Sequence, residues 1–157
     1  MLKQKEAPGA FFKVKIDECS HTYGRIIANN VYAFYDFKTD KDESDLSLIE
    51  QSKIIFKILV NHRPIKSGAW KIVGISELSN ELKKTVPFFI QEIGNLSVCW
   101  IDRNGTRERA EFQECNGLER LAVWDQIHVE KRISDYYHGV QNKYSQGLEL
   151  KIPTDMG

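Results

Sequence analysis

The sequence predicts an α+β fold: a strongly bent antiparallel β-sheet, or a partial barrel, packed against a long C-terminal helix. Three observations carry this. From Ala10 to Phe112, short segments alternate apolar and polar residues with the period of a strand and are separated by turn residues. After Asn116 the apolar spacing becomes that of a helix. Glycines in Gly68-Ala69-Trp70-Lys71-Ile72-Val73-Gly74 and Tyr23-Gly24-Arg25-Ile26-Ile27 supply the bend, because a glycine inside a strand admits a close neighbour and an adjacent tryptophan fills the core beside it.

Along the first strand, residues 10–16, alternation places Phe12, Val14 and Ile16 on one face. Residues 23–28 and 31–37 form a hairpin about Asn29-Asn30, since asparagine tolerates the left-handed conformations of tight turns. A short helix follows Ser44 as its N-cap, with Leu46 and Ile49 at helical spacing, and ends near Ser52. Residues 53–60 are dense enough in isoleucine, phenylalanine and valine for a central strand, and Asn61-His62-Arg63-Pro64 turns the chain into a strand over 68–75. Residues 76–85 open on a capping serine, but Pro87 limits any helix there. Residues 87–93 are apolar enough to pack on the sheet. A second hairpin joins residues 96–101 to 106–112 through Asn104-Gly105, the strongest short hairpin signal.

The helix is expected from Asn116 to about Gly139. Asn116 caps it, Glu119 completes a capping box, and Gly139 offers a stop. Leu118, Leu121, Ala122, Val129, Ile133, Tyr136 and Val140 share one stripe. Val123, Trp124 and Ile127 lie off it, so the first half is apolar on a second side.

The chain has 157 residues, 41% of them apolar, which is enough for a single domain over 1–157 with residues 1–8 and 141–157 as loosely attached ends. Twenty-two basic and 22 acidic side chains cancel, so the chain as a whole exerts no pull on phosphate backbones or anionic membranes. Any charged partner must be met by a local patch. No apolar run approaches the roughly 20 residues of a membrane span, and the charged N-terminus lacks a signal-peptide core, so a cytoplasmic protein is expected. Cys19, Cys99 and Cys115, odd in number and widely spaced, argue against a disulfide framework and structural zinc.

Chemistry-bearing patterns are few. His21, His62, His128 and His138 have no metal-ligand spacing, and no nucleophile elbow or phosphate-cradling glycine loop is present. Asp125, His128, Arg132 and Asp135 recur every three or four residues, which reads either as an acid, a base and an anion-binding arginine of a small hydrolase-like enzyme, or as a solvated helix face. Arg103, Arg107 and Arg109 near Trp100 suit a barrel that binds single-stranded nucleic acid, although Glu108 and Glu111 dilute their field. The acidic run Asp40, Asp42, Glu43, Asp45 and Glu50 suits a surface that docks a basic partner.

Taken in order, Pro8-Gly9-Ala10-Phe11-Phe12-Lys13-Val14, Tyr23-Gly24-Arg25-Ile26, Phe34-Tyr35-Asp36, Gly68-Ala69-Trp70-Lys71-Ile72-Val73-Gly74 and Val86-Pro87-Phe88-Phe89 resemble the immunity protein 26 family of bacterial polymorphic toxin systems. The resemblance covers most of the chain, including Trp124-Asp125 and Val129-Glu130-Lys131-Arg132-Ile133. It implies a non-enzymatic protein, made beside a toxin in the same cell, that blocks the toxin domain by direct stoichiometric binding. It supplies no toxin-contacting residues, so Asp40, Asp42, Glu43, Asp45 and Glu50 are assigned to the partner surface on charge alone, with a basic nuclease as one fitting toxin. No catalytic residue, cofactor, metal, nucleic acid or membrane belongs to this expectation, and it leaves the oligomeric state open.

Overall fold

Ten strands and four helices follow one another in the computed structural model, which describes residues 4–154. In chain order they are β1 (Ala10–Lys15), β2 (His21–Ala28), β3 (Val31–Tyr35), α1 (Leu46–Glu50), β4 (Ile54–Val60), α2 (Arg63–Lys66), β5 (Ile72–Ile75), β6 (Pro87–Gln91), β7 (Cys99–Arg103), β8 (Thr106–Ala110), β9 (Glu119–Arg120), β10 (Val123–Trp124), α3 (Gln126–His138) and α4 (Lys143–Gly147). They divide between two compact units. One is the chain up to Lys84 with Val123–Asn142; the other is Thr85–Ala122 with the chain from Lys143 onward.

The first unit is a six-stranded sheet in the order β10-β4-β3-β2-β1-β5. Alternation along β1 sends Phe12 and Val14 to one face and Phe11 and Lys13 to the other. On the first face Phe12 stacks on Trp70, centroids 5.2 Å apart and planes within 5°, and meets Tyr32 and Phe34. Gly24 lies opposite Phe12 across the strand pair, and a Cβ there would stand 2.3 Å from the Phe12 ring, so no larger residue fits. α3 closes this side with Val129 and Ile133 fully buried; the Trp70 indole N–H donates to Glu130 at 3.0 Å, and Arg132 lies 4.0 Å from the Phe56 ring centroid. Cutting Trp70 to alanine would cost about 3–5 kcal/mol for a ring this enclosed.

The opposite face holds a second core of Phe11, Tyr23, Tyr35 and Ile49, with Phe37, Leu46 and Ile54 against it. Ile49 and Leu46 come from α1, so the segment between β3 and β4 lies across this face. A Cβ on Gly74 would stand 2.9 Å from Leu46, which explains the glycine at that end of the 68–74 motif.

The second unit is a four-stranded sheet, β8-β7-β6-β9, whose core gathers Phe89, Cys99, Ile101 and Cys115 with Ala110, Phe112, Leu118 and Leu150. Burial pushes the Cys115 thiol up to about 11, with Cys99 adding to the shift. The hairpin turns at Asn104 and Gly105, both with positive φ, as their sequence requires. The tail is tied in: Lys151 N–H donates to Gln91 Oε1 at 3.0 Å, Gln91 Nε2 donates to the Lys151 carbonyl at 2.7 Å, and Arg120 donates to the Leu148 carbonyl. At the other end, Gln4 Nε2 donates to the carbonyls of Ile65 and Trp70 at 2.8 Å.

The α+β class stands, built from two open sheets, and several element boundaries are corrected. The helix expected from Asn116 begins at Gln126. The preceding stretch pairs instead: β9 runs parallel to β6, Leu121 N–H donates to the Phe89 carbonyl at 2.8 Å, and β10 runs parallel to β4. Val123 and Trp124 fell off the helical stripe because they belong to a strand. The capping box lies earlier, between Glu111 and Glu114, on a 3₁₀ turn over Phe112–Cys115. Asp45, and not Ser44, caps α1. Of residues 68–75 only Ile72–Ile75 is strand, residues 63–66 form a helical turn, and residues 76–85 hold no helix. Each sheet also carries one parallel edge strand, since β9 and β10 pair with strands far back along the chain, β6 and β4, and not with a hairpin neighbour.

Candidate functional site

The acidic segment is held to its sheet at successive points. Thr39 exchanges backbone hydrogen bonds with His21 at 2.9 and 3.0 Å. Lys13 Nζ donates to Asp42 at 2.6 Å. The Glu43 amide donates to the Tyr23 hydroxyl at 2.9 Å, and the Glu43 carboxylate accepts the Asp45 amide at 3.1 Å. Asp45 accepts the Ser47 amide at 3.0 Å and the Ser47 hydroxyl at 2.6 Å, capping α1. Leu46 and Ile49 then enter the core, and Glu50 stands 3.7 Å from the fully buried guanidinium of Arg25.

These contacts sort the five predicted acids. Asp40, Asp42 and Asp45 are exposed, whereas Glu43 and Glu50 are half-buried. The hydrogen bond from Lys13 holds the Asp42 carboxyl below the usual range, and that from the Ser47 hydroxyl does the same for Asp45. Glu50 acts inward, as a counter-charge. The residue pattern alone marked all five as one patch, and the structure keeps three at the surface.

It also adds residues that pattern missed. Asp17 and Glu18, in the turn between β1 and β2, share a groove of about 450 Å³ with Asp40 and Asp42. Amide donation from Cys19 keeps Asp17 below the ordinary carboxylate range. The signal was present in Asp17-Glu18-Cys19-Ser20, an acidic turn in a hairpin, but its closeness to Asp40 depends on the His21–Thr39 bridge. Lys13, Lys15 and Lys71 line the same groove, so its field is mixed.

The residues of the helix ladder make contacts of different kinds. Asp125 precedes α3 and accepts from Asn61 at 3.3 Å; Arg132 lies over Phe56 and Trp124; Asp135 is buried, bonded to Asn142 at 2.9 Å and paired with Lys131 at 3.0 Å; His128 is half-buried on the first turn. On β7 and β8, Arg107 pairs with Asp102 at 3.0 Å, Arg109 stacks 5.3 Å over Trp100, and Arg103 is exposed at the hairpin end. Among the described residues, no group of three histidines, cysteines or carboxylates is placed to hold a metal ion, and no helix is long and apolar enough to cross a membrane.

Two open sheets, with an acidic segment braced on one of them, define a small α+β protein. The chain belongs to the immunity protein 26 family, whose family model matches residues 7–100, a stretch that contains the whole acidic segment and both glycine motifs. No curated protein and no solved structure matches the chain.

Proposed function

We propose that this chain neutralises a cognate bacterial toxin domain in the cytoplasm by direct stoichiometric binding. Asp40, Asp42 and Asp45 face the toxin, and Glu43 and Glu50 hold them in place. Membership of an immunity protein family carries the reading. The braced segment supports it further, because a surface fixed before encounter loses little conformational freedom on binding. Carboxylates grouped on a neutral protein speed the approach of a basic partner, such as a nuclease domain.

Reversal of the exposed charges tests the surface. In the variant Asp40→Lys/Asp42→Lys/Asp45→Lys, the association rate constant with the toxin domain encoded beside this gene should fall about tenfold at low salt, and the difference should shrink as salt rises. Unchanged association kinetics would remove this segment from the interface. Failure of the unaltered chain to bind or block that toxin would remove the function itself.

A further inference from the structure

β5 is an end strand of the six-stranded sheet, and one of its edges faces away from β1. Backbone alternation decides which groups lie on that edge. The Lys71 carbonyl accepts the Lys13 N–H at 2.9 Å, and the Ser76 N–H donates to the Gly9 carbonyl at 3.2 Å. Residues 71 and 76 therefore face β1, and their neighbours Ile72 and Ile75 face outward. The odd spacing of that outward pair comes from the register shift beside Val73. Val73 and Ile75 are 40% and 60% exposed, and an edge strand with open backbone groups is a template for another chain.

Gln4 occupies one end of this edge. Its Oε1 accepts the Ile72 N–H at 2.7 Å, and its Nε2 donates to the Trp70 carbonyl at 2.8 Å. Those are the two bonds that one residue of a neighbouring strand makes in a parallel ladder. Nε2 also donates to the Ile65 carbonyl, which fixes the side-chain amide in place. The segment around Gln4 has separate anchors: Glu6 accepts the Asn30 N–H at 3.0 Å and pairs with His62, and the Gly9 N–H donates to the Ile26 carbonyl at 2.7 Å.

We infer that the outer edge of β5 is a self-pairing surface, and that Gln4 holds it shut against a second copy of this chain. The edge is complementary to itself. In an antiparallel pair about a two-fold axis between Val73 and Gly74, the Ile72 N–H meets the Ile75 carbonyl of the second copy, and the Ile75 N–H meets its Ile72 carbonyl. Val73 and Ile75 then lie in the middle of the contact. At each end Lys71 falls one residue from the second copy's Glu77, and both side chains are exposed, so opposite charges meet twice. This register needs the Ile72 N–H that Gln4 already holds. Gln4 therefore blocks the pairing at its first hydrogen bond, with a side chain in place of a strand.

Sedimentation equilibrium on the full chain tests the guard, with hydrogen exchange at the Ile72 amide as the local readout. Gln4→Ala should dimerise at least tenfold more tightly than the parent. Its Ile72 amide should exchange at least tenfold faster than the parent's when dilute, and regain protection as the concentration rises. Adding Ile75→Lys, at an exposed position on the same edge, should return the double variant to the parent's association. Dimerisation of Gln4→Ala no tighter than the parent's would overturn the proposal. So would a tighter dimer that Ile75→Lys leaves intact, one that leaves the Ile72 amide unprotected, or one accompanied by lost protection at Phe34 in β3, which marks unfolding. No toxin enters the experiment, so its outcome is independent of the immunity reading.

Discussion

The guanidinium of Arg25 lies 4.3 Å from the Phe11 ring centroid and donates to the Ser76 carbonyl and hydroxyl, both at 2.9 Å, and to the Glu77 carbonyl at 3.2 Å. Nη1 is buried without a hydrogen bond and faces Glu50 at 3.7 Å, and a buried charge of this kind needs a counter-charge near it. Glu50 supplies that charge, so Glu50→Gln should lower stability by about 1–2 kcal/mol, less than a fully enclosed pair because the carboxylate is partly in water. The reading is a lower urea midpoint with unchanged slope. Asp40→Asn, on an exposed side chain, should leave the midpoint within about 0.5 kcal/mol of the parent. Composition and spacing exposed the acidic run and the tightly packed Gly24 and Trp70, since those follow from local pattern. They did not separate Glu50 from its neighbours, because its partner sits on a different strand.

Two carboxylates tie α3 at its last turns: Asp36 accepts from the Tyr136 and Tyr137 hydroxyls, and Asp135 bonds at the helix end itself. Asp135 accepts from Asn142 and pairs with Lys131 one turn earlier, and these contacts, Asn142 first, hold its pKa below the ordinary 3.8. A depressed carboxyl adds stability that is present above the unfolded pKa and lost as pH falls through the folded one. Below about pH 4 the stability of Asp135→Asn should therefore decline less steeply than that of the parent, in urea midpoints measured at a series of pH values. An equal slope in both would rule the contact out as a contributor. The helix body was legible from Val129 and Ile133, which recur at helical spacing and are buried. Its start was not. Leu118 and Leu121 fit a helical stripe as well as they fit the edge of a sheet, and the competing partners, on β4 and β6, lie far along the chain.

The chain passes between the two units three times, near Lys84, Ala122 and Asn142, so neither is a continuous stretch. The first unit cannot be completed until β10 and α3 are made, after most of the second. We expect one cooperative transition. Trp100 reports on the second unit, Trp70 and Trp124 on the first. The Trp100 signal, obtained by difference against Trp100→Phe, should therefore be lost at the same urea concentration as the far-ultraviolet dichroism. Two separated midpoints would show independent folding units. The acidic segment, finally, alternates positions of two kinds: Leu46, Ile49 and Glu50 point into the fold, while Asp40, Asp42 and Leu48 point into water. That alternation makes the segment a cassette. Its outward positions can be substituted while its inward positions keep the same sheet, so this surface and the architecture beneath it are free to change at different speeds.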